Sequence, residues 1–234
     1  KNFIATKIAN KRNVLLRSAR DSNNQEANNK LKGAAKEIAF LSTQLKSAKC
    51  HNQVRGIEGI IANRYFAVFD YMIKVNKKDF TFKKRSKRPP MDKVNALLSF
   101  LYMLLANDMR SALEGVGLDP AVGFLHAVRP GRPSLALDLM EELRAPLCDR
   151  IALALINLKQ VQAKGFEQTP TSVRMTEETR KTIITVWQKR KKETIIHPFL
   201  EEKMPIGLIP HIQAQLLARH LRGDLDCYPP FLWK

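Results

Sequence analysis

Asp138, Glu141 and Glu142 stand at i, i+3 and i+4 in an apolar-periodic stretch that opens at Ser134, SLALDLMEELRAPLCDRIALALIN. On a helix they would share one face, with Cβ atoms roughly 5–6 Å apart, among Leu135, Leu137, Leu139, Met140 and Leu143, which a soluble helix buries. Three acids in such company need a reason. The bland one is that acids near a helix N-terminus offset its dipole and decorate its solvent face. Glu58 poses the same question as the single acid near the start of VRGIEGIIANRYFAVFDYMI. Burying an unpaired carboxylate is costly, so Glu58 is neutral, paired with arginine, bound to a metal, or simply a dipole-friendly acid. His126 is the lone histidine of the turn-rich loop GLDPAVGFLHAVRPGRP. Such a histidine is either a satisfied structural residue or a ligand.

Helices have to position these groups. Phe3 to Arg20 reads as a cationic amphipathic helix, Asp21 to Asn29 as a polar turn, and Leu31 to Lys49 as the second arm of a helical hairpin. Val54 to Ile73 has apolar residues on more than one stripe, which predicts a well-buried helix. Lys74 to Arg88 is a dense basic linker, with Lys83, Lys84, Arg85, Lys87 and Arg88 at its end and Phe80 and Phe82 interleaved. That composition suits a solvated loop or phosphate contact. Pro89-Pro90 stops it, and Asp92 is placed to cap a strongly apolar core helix running to about Leu113. Beyond the acidic stretch, Thr176 reads as the N-cap of a helix ending in Lys189-Arg190-Lys191-Lys192. Ile206 to Arg222 forms one more helix before a tail with Tyr228, Phe231 and Trp233. With no strand series, tandem repeat or phosphate-cradling glycine loop, the fold class is essentially all-α.

Composition bounds the function. The chain has 234 residues, 44% of them hydrophobic, enough to bury a sizeable core. Its formal charge of +18 points to an anionic partner, nucleic acid before membrane surface. No apolar run spans a bilayer, and the three scattered cysteines (Cys50, Cys148, Cys227) suggest a reducing cytoplasm and no zinc site. Lys1 in place of an initiator methionine reads as a fragment or a processed chain.

The segments GIEGIIANRYF, RPPMDKVNALLSFLYMLL, GLDPAVGFLH and GRPSLALDLMEELRAPLCDR, in this order, closely resemble the CRISPR-associated spacer-acquisition integrase, the first-numbered Cas protein. KIANKRNVLLR fits the opening helix of the same region, so the likeness runs from Phe3 to about His197. In that family a small β-domain, which mediates dimerisation, precedes a catalytic helical domain, and this chain looks like the helical part. The resemblance therefore implies one helical nuclease unit over 1–234: leading helices 1–53, a catalytic core 54–200, and a helix and tail 201–234. It implies a metal-dependent endonuclease and integrase that inserts new spacers into a CRISPR array by phosphodiester transesterification. Residue by residue, it places the metal ligands on Glu58, His126 and Glu141 and an auxiliary acid on Asp138. Arg129 and Arg132 match basic positions beside the site, while Val128 stands where relatives often carry a polar or acidic residue. The implied partners are double-stranded DNA (protospacer and CRISPR repeat), a second copy of the chain, the second-numbered Cas protein and a further adaptation nuclease.

Two carboxylates and an imidazole suit Mg²⁺ or Mn²⁺, the histidine tilting the choice toward Mn²⁺. Phosphate contacts are expected from the basic linker and from the run containing Lys189 and Arg190. A non-catalytic helical DNA-binding module is the alternative reading. It would carry the same charge and helices without needing Glu58, His126 and Glu141 to converge on one ion.

Overall fold

The computed structural model describes residues 1–233. Nine α-helices carry the described residues, with two short antiparallel hairpins, so the all-α expectation is met. Helix α1 (Asn2–Arg20) packs on α2 (Gln25–Thr43), whose start is fixed by Asn24: its side chain accepts from the Ala27 N–H at 3.0 Å. The polar turn expected to run to Asn29 therefore ends at Asn24, and residues 25–29 belong to the first turns of α2. Helix α3 (His51–Ala67) breaks into a 3₁₀ turn, Phe69–Met72, in place of continuing to Ile73. It buries Val54, Ile61 and Tyr65 and leaves Ile60 exposed, so the expectation of a well-buried helix is not met.

The basic linker that follows is pinned from inside, because Phe80 and Phe82 are core residues and not aromatics held out for stacking. Helix α4 (Lys93–Gly115) starts as its sequence requires, Asp92 accepting from the Asn95 N–H at 2.7 Å. Leu97, Leu98, Leu101, Leu105 and Met109 are fully buried along it. This is the central strut of the core. Thr176 caps α8 (Glu177–Lys192), and Gly223, at φ +87°, ends α9 (Ile209–Arg222) in the left-handed conformation open to glycine. Two strand pairs flank α8: β1 (Phe166–Gln168) with β2 (Val173–Met175), and β3 (Thr194–Ile196) with β4 (Lys203–Pro205). Three residues each are too few for periodicity to reveal.

The largest departure falls on the acidic stretch. The continuous helix expected from Ser134 is four pieces: α5 (Ser134–Leu139), α6 (Glu141–Leu143), a π-helical segment Arg144–Asp149, and α7 (Arg150–Asn157). Pro146 accounts for the widened turn. It has no N–H to offer the carbonyl of Glu142 four residues earlier. That carbonyl instead accepts from Asn10 Nδ2, on α1, at 2.7 Å. The break that the proline forces is filled by a side chain from the other end of the chain.

Candidate active site

Because the stretch is broken, its three acids part company. Asp138 turns to the loop before α5, where Oδ2 accepts from the N–H groups of Phe124 at 2.6 Å and Leu125 at 2.8 Å. Its Oδ1 accepts from the His126 N–H at 3.1 Å and meets the ring Nδ1 of His126 at 2.5 Å. A carboxylate oxygen facing Nδ1 assigns the ring proton there, leaving Nε2 with its lone pair. Asp138 therefore shapes the loop and orients the imidazole, both of its oxygens being engaged with the loop in this structure.

The loop is held from other sides as well. Arg55, on α3, donates from Nε to the Leu125 carbonyl at 3.0 Å, and its guanidinium nitrogen Nη2 reaches the same oxygen. Ser134 Oγ donates to the Ala127 carbonyl at 2.9 Å, and the Leu135 N–H to the Pro120 carbonyl at 2.8 Å. Gly123 lies so close to α5 that a Cβ there would sit 2.7 Å from Ser134 Cβ and 2.8 Å from its carbonyl carbon. Only glycine fits that approach.

Glu58 and Glu141 come together around a residue that sequence reasoning missed. Lys7, on α1, places Nζ 2.5 Å from Glu58 Oε1 and 2.8 Å from Glu141 Oε2. Its side chain is 6% exposed and that of Glu141 3%, while Glu58 keeps 26%. Glu58, only half-buried, is thus paired, with lysine in place of arginine. Glu141 Oε1 accepts from Arg144 Nη1 at 2.9 Å. Burial raises the pKa of Glu141, but Arg144 and Lys7 outweigh it and bring the group down to about 2, so it is an anion. Arg144 stands over the Tyr102 ring at 4.7 Å, and Tyr102 donates to the buried Asp149, as does Tyr65.

Among the described residues no three His, Cys, Asp or Glu side chains gather closely enough to hold one ion. The expected convergence of Glu58, His126 and Glu141 is therefore seen as a carboxylate pair with an imidazole outside it. The physical reason is visible: an ammonium already stands between the two carboxylates, and Asp138 draws on the ring of His126. The pair fits a cation, because it already gathers one. Lys7 was legible as the wrong residue on a buried face, with Lys7, Asn10 and Lys11 spaced among Ile4, Ile8 and Leu15. Lys11 is buried beside the Tyr65 ring, 4.9 Å from its centroid, and burial followed by repulsion from Lys7 lowers its pKa to about 7.

Glu142 faces a third environment. Its Oε2 accepts from the Phe231 N–H at 2.8 Å, Gln213 Nε2 at 3.0 Å and the Tyr228 hydroxyl at 3.1 Å. Burial outweighs these bonds and pushes its pKa up to about 7. Asn10 clasps the same tail, donating to the Phe231 carbonyl at 2.9 Å and accepting from the Trp233 N–H at 2.8 Å.

The basic candidates divide. Lys83, Lys84, Lys87, Arg88, Arg129 and Lys189 are exposed and Arg132 is half-buried. Arg85 points inward, its Nη1 bonded to Asn95 Oδ1 at 2.6 Å and its Nη2 to Ser99 Oγ at 3.1 Å, with its guanidinium over Tyr102 at 5.3 Å. Arg190 is half-buried, paired with Glu193 and set over the Trp233 ring at 6.0 Å. Lys87 joins the linker to the site: desolvation, then the nearby Arg144 and Arg85, lower its pKa.

Residues 1–189 match the family described as CRISPR associated protein Cas1. The chain is 53% identical over 239 aligned residues to CRISPR-associated endonuclease Cas1 2 of Rhodospirillum rubrum, covering all of this chain and 70% of that one. In shape it is similar to a casposase bound to integration product, with a TM-score of 0.80 at 24% identity over 96% of this chain and 60% of that one. It is similar too to a chain of a partial Cas6-RT-Cas1–Cas2 complex, with a TM-score of 0.84 at 23% identity over 99% of this chain and 67% of that one. At these identities the structural likenesses bear on fold.

Proposed function

The chain belongs to the CRISPR-associated Cas1 family, and from that premise we propose that it is a divalent-metal-dependent DNA endonuclease and integrase that joins DNA ends to a CRISPR repeat. The observation that carries the reading is the pair of a half-buried Glu58 and a buried Glu141, gathered about a single positive charge at 2.5 and 2.8 Å. Glu141 Oε2 has that ammonium beside it but no well-directed hydrogen bond, so a buried oxygen is left open to a cation. On this reading the Glu58–Glu141 pair would hold the ion, Mg²⁺ or Mn²⁺, and Nε2 of His126, which lies outside the pair in this structure, would have to move in to complete the set. When bound, it supplies Lewis-acid polarisation of a phosphodiester toward attack by a 3′-hydroxyl or water.

The chain's own groups do the rest. Arg144 fixes one oxygen of Glu141, so the carboxylate presents the other in a set direction. Asp138 sets the imidazole so that Nε2 is the free nitrogen. Lys87, close to Arg144, and the basic pair Arg129 and Arg132 on the His126 loop are placed to receive phosphate oxygens. Lys83, Lys84, Arg88 and Lys189 extend a basic surface that tracks a DNA backbone. The partners on this reading are protospacer and repeat DNA, a second copy of the chain, the second-numbered Cas protein and an adaptation nuclease. Residues 1–234 act as one helical unit.

The test is nicking and strand transfer into a supercoiled plasmid bearing a CRISPR repeat, with and without the second-numbered Cas protein. Activity that needs Mg²⁺ or Mn²⁺ and is lost in Glu141→Ala, with salt-dependent DNA binding retained, supports the assignment. Tight, salt-sensitive binding with no cleavage under any divalent ion would leave a DNA-binding module instead.

A further inference from the structure

Lys7 has no part in the function as described so far, yet it touches both carboxylates on which that function rests. Its side chain is 6% exposed and sits against one that is 3% exposed, so water does little to screen the contact. Two carboxylates sharing such a space cannot both stay ionised without a positive charge between them. In this structure that charge comes from α1. The contact to Glu141 Oε2 is close, at 2.8 Å, but not a directed hydrogen bond, which makes it a contact of charge that another cation could supply. The orientation of Glu141 does not hang on Lys7, since Arg144 holds its other oxygen at 2.9 Å. One turn along the same face Lys11 is buried, and among the described residues it has no carboxylate partner within ion-pair distance. Helix α1 thus carries a second buried lysine one turn from the pair, and only Lys7 is within ion-pair distance of the two carboxylates.

We propose that Lys7 is the resident counter-ion of the Glu58–Glu141 pair and competes with a divalent cation for the space between those carboxylates. The inference rests on the metal reading above. An ammonium and a divalent ion cannot occupy the same gap, so uptake of the ion requires Nζ to leave on its flexible four-carbon stem. Lys7 holds the metal-free pair together and at the same time sets the threshold concentration for loading.

The decisive measurement is Mn²⁺ binding to the chain without DNA, followed by calorimetry and by the electron-spin signal of free Mn²⁺. Lys7→Met keeps the bulk of the side chain and removes the charge. It is expected to bind Mn²⁺ tighter by about tenfold or more, the scale of one short-range unit charge removed. Lys7→Arg, which keeps the charge, is expected to bind no more tightly than wild type. Melting temperature adds an independent sign: without metal Lys7→Met melts below wild type, and Mn²⁺ raises it by more. Lys7→Gln serves as the second neutral variant if Lys7→Met does not fold. Unchanged or weaker Mn²⁺ binding in the neutral variant overturns the proposal, as does failure of both variants to fold, because the ammonium would then be a brace and not a competitor. The two readings fail differently. Wild type and Lys7→Met both blind to Mn²⁺ would remove the metal site itself, whereas equal binding by both would remove only the role of Lys7.

Discussion

Asp138 and His126 form a unit whose parts have separable effects. On the proposed reading His126→Ala removes one metal-ligating nitrogen and none of the loop's backbone bonds, so metal-dependent nicking should be lost while salt-dependent DNA affinity stays near wild type. Asp138→Asn keeps the shape but gives up the charge that faces three N–H groups and the ring nitrogen. A fall of about 10–100-fold in metal affinity and nicking is expected, with a changed imidazole tautomer in the nitrogen NMR spectrum of His126. A wild-type tautomer in that variant would refute the assignment of Nε2 as ligand. Glu142 and Glu141 give opposite responses to pH. The folded pKa of Glu142 is raised, so its contribution to stability is complete below its usual value of 4.5 and is lost as pH climbs toward about 7. Denaturant unfolding should show wild type losing on the order of 3 kcal/mol from this group between about pH 4.5 and about pH 7, and Glu142→Gln should flatten that limb. Glu141 is depressed to about 2, so its contribution is present above 4.5 and disappears only as pH falls toward that value.

At the scale of elements, the loop carrying His126 is built by close approach and not by propensity. Gly123→Ala would drive a methyl group into the start of α5, where Ser134 Cβ is 2.7 Å away. A cost of about 1–3 kcal/mol is expected, together with a fall in nicking out of proportion to any fall in DNA binding; a wild-type melting temperature would show that the loop moves freely. Helix starts were legible in the sequence because a cap is a local device: Asp92 and Thr176 each sit just before an apolar-periodic run and accept from an N–H three residues on. The break at Met140 and the π-helical turn over Pro146 were not legible as a redistribution of acids, although the proline itself was in view. Spacing at i, i+3 and i+4 places residues on one face only while the helix is regular. The pairing of Lys7 with Glu58 and Glu141 was hidden for a different reason: it joins positions that periodicity along either segment cannot relate. What the sequence implied of the site came through the order of four motifs, which pointed to Glu58, His126 and Glu141 together when no single one of them was decisive; of these the structure brings Glu58 and Glu141 onto Lys7.

Over the whole molecule, a charge of +18 is too diffuse to name a binding face, and the structure sorts the candidates by what already holds them. Lys83, Lys84, Lys87 and Arg88 are exposed, whereas Arg85 is committed to Asn95, Ser99 and the Tyr102 ring. Among the described residues no helix is long and apolar enough to cross a membrane. Neutralising the exposed four should lower the salt slope of DNA binding by about 0.9 for each phosphate that the variant no longer neutralises, with thermal stability little changed. Arg85→Ala should do the reverse, lowering the melting temperature and leaving the slope near wild type. A slope unchanged by the four-residue variant would return the linker to solvated surface.

The clasp made by Asn10 also sets a timetable. Its side chain bonds to Glu142, Phe231 and Trp233, positions 132, 221 and 223 residues further along. A ribosome making this chain has therefore released α1 and the acidic stretch long before it supplies the groups that shelter them. Until Gln213, Tyr228 and Phe231 emerge, the carboxyl of Glu142 lacks the three donors that hold it, and until Trp233 emerges the oxygen of Asn10 lacks its N–H. The contacts that complete the clasp close loops of more than two hundred residues, whose closure entropy has to be met before the contacts are gained. The acidic stretch thus stays without its closing partners for about ninety residues of synthesis after Glu142 has been made.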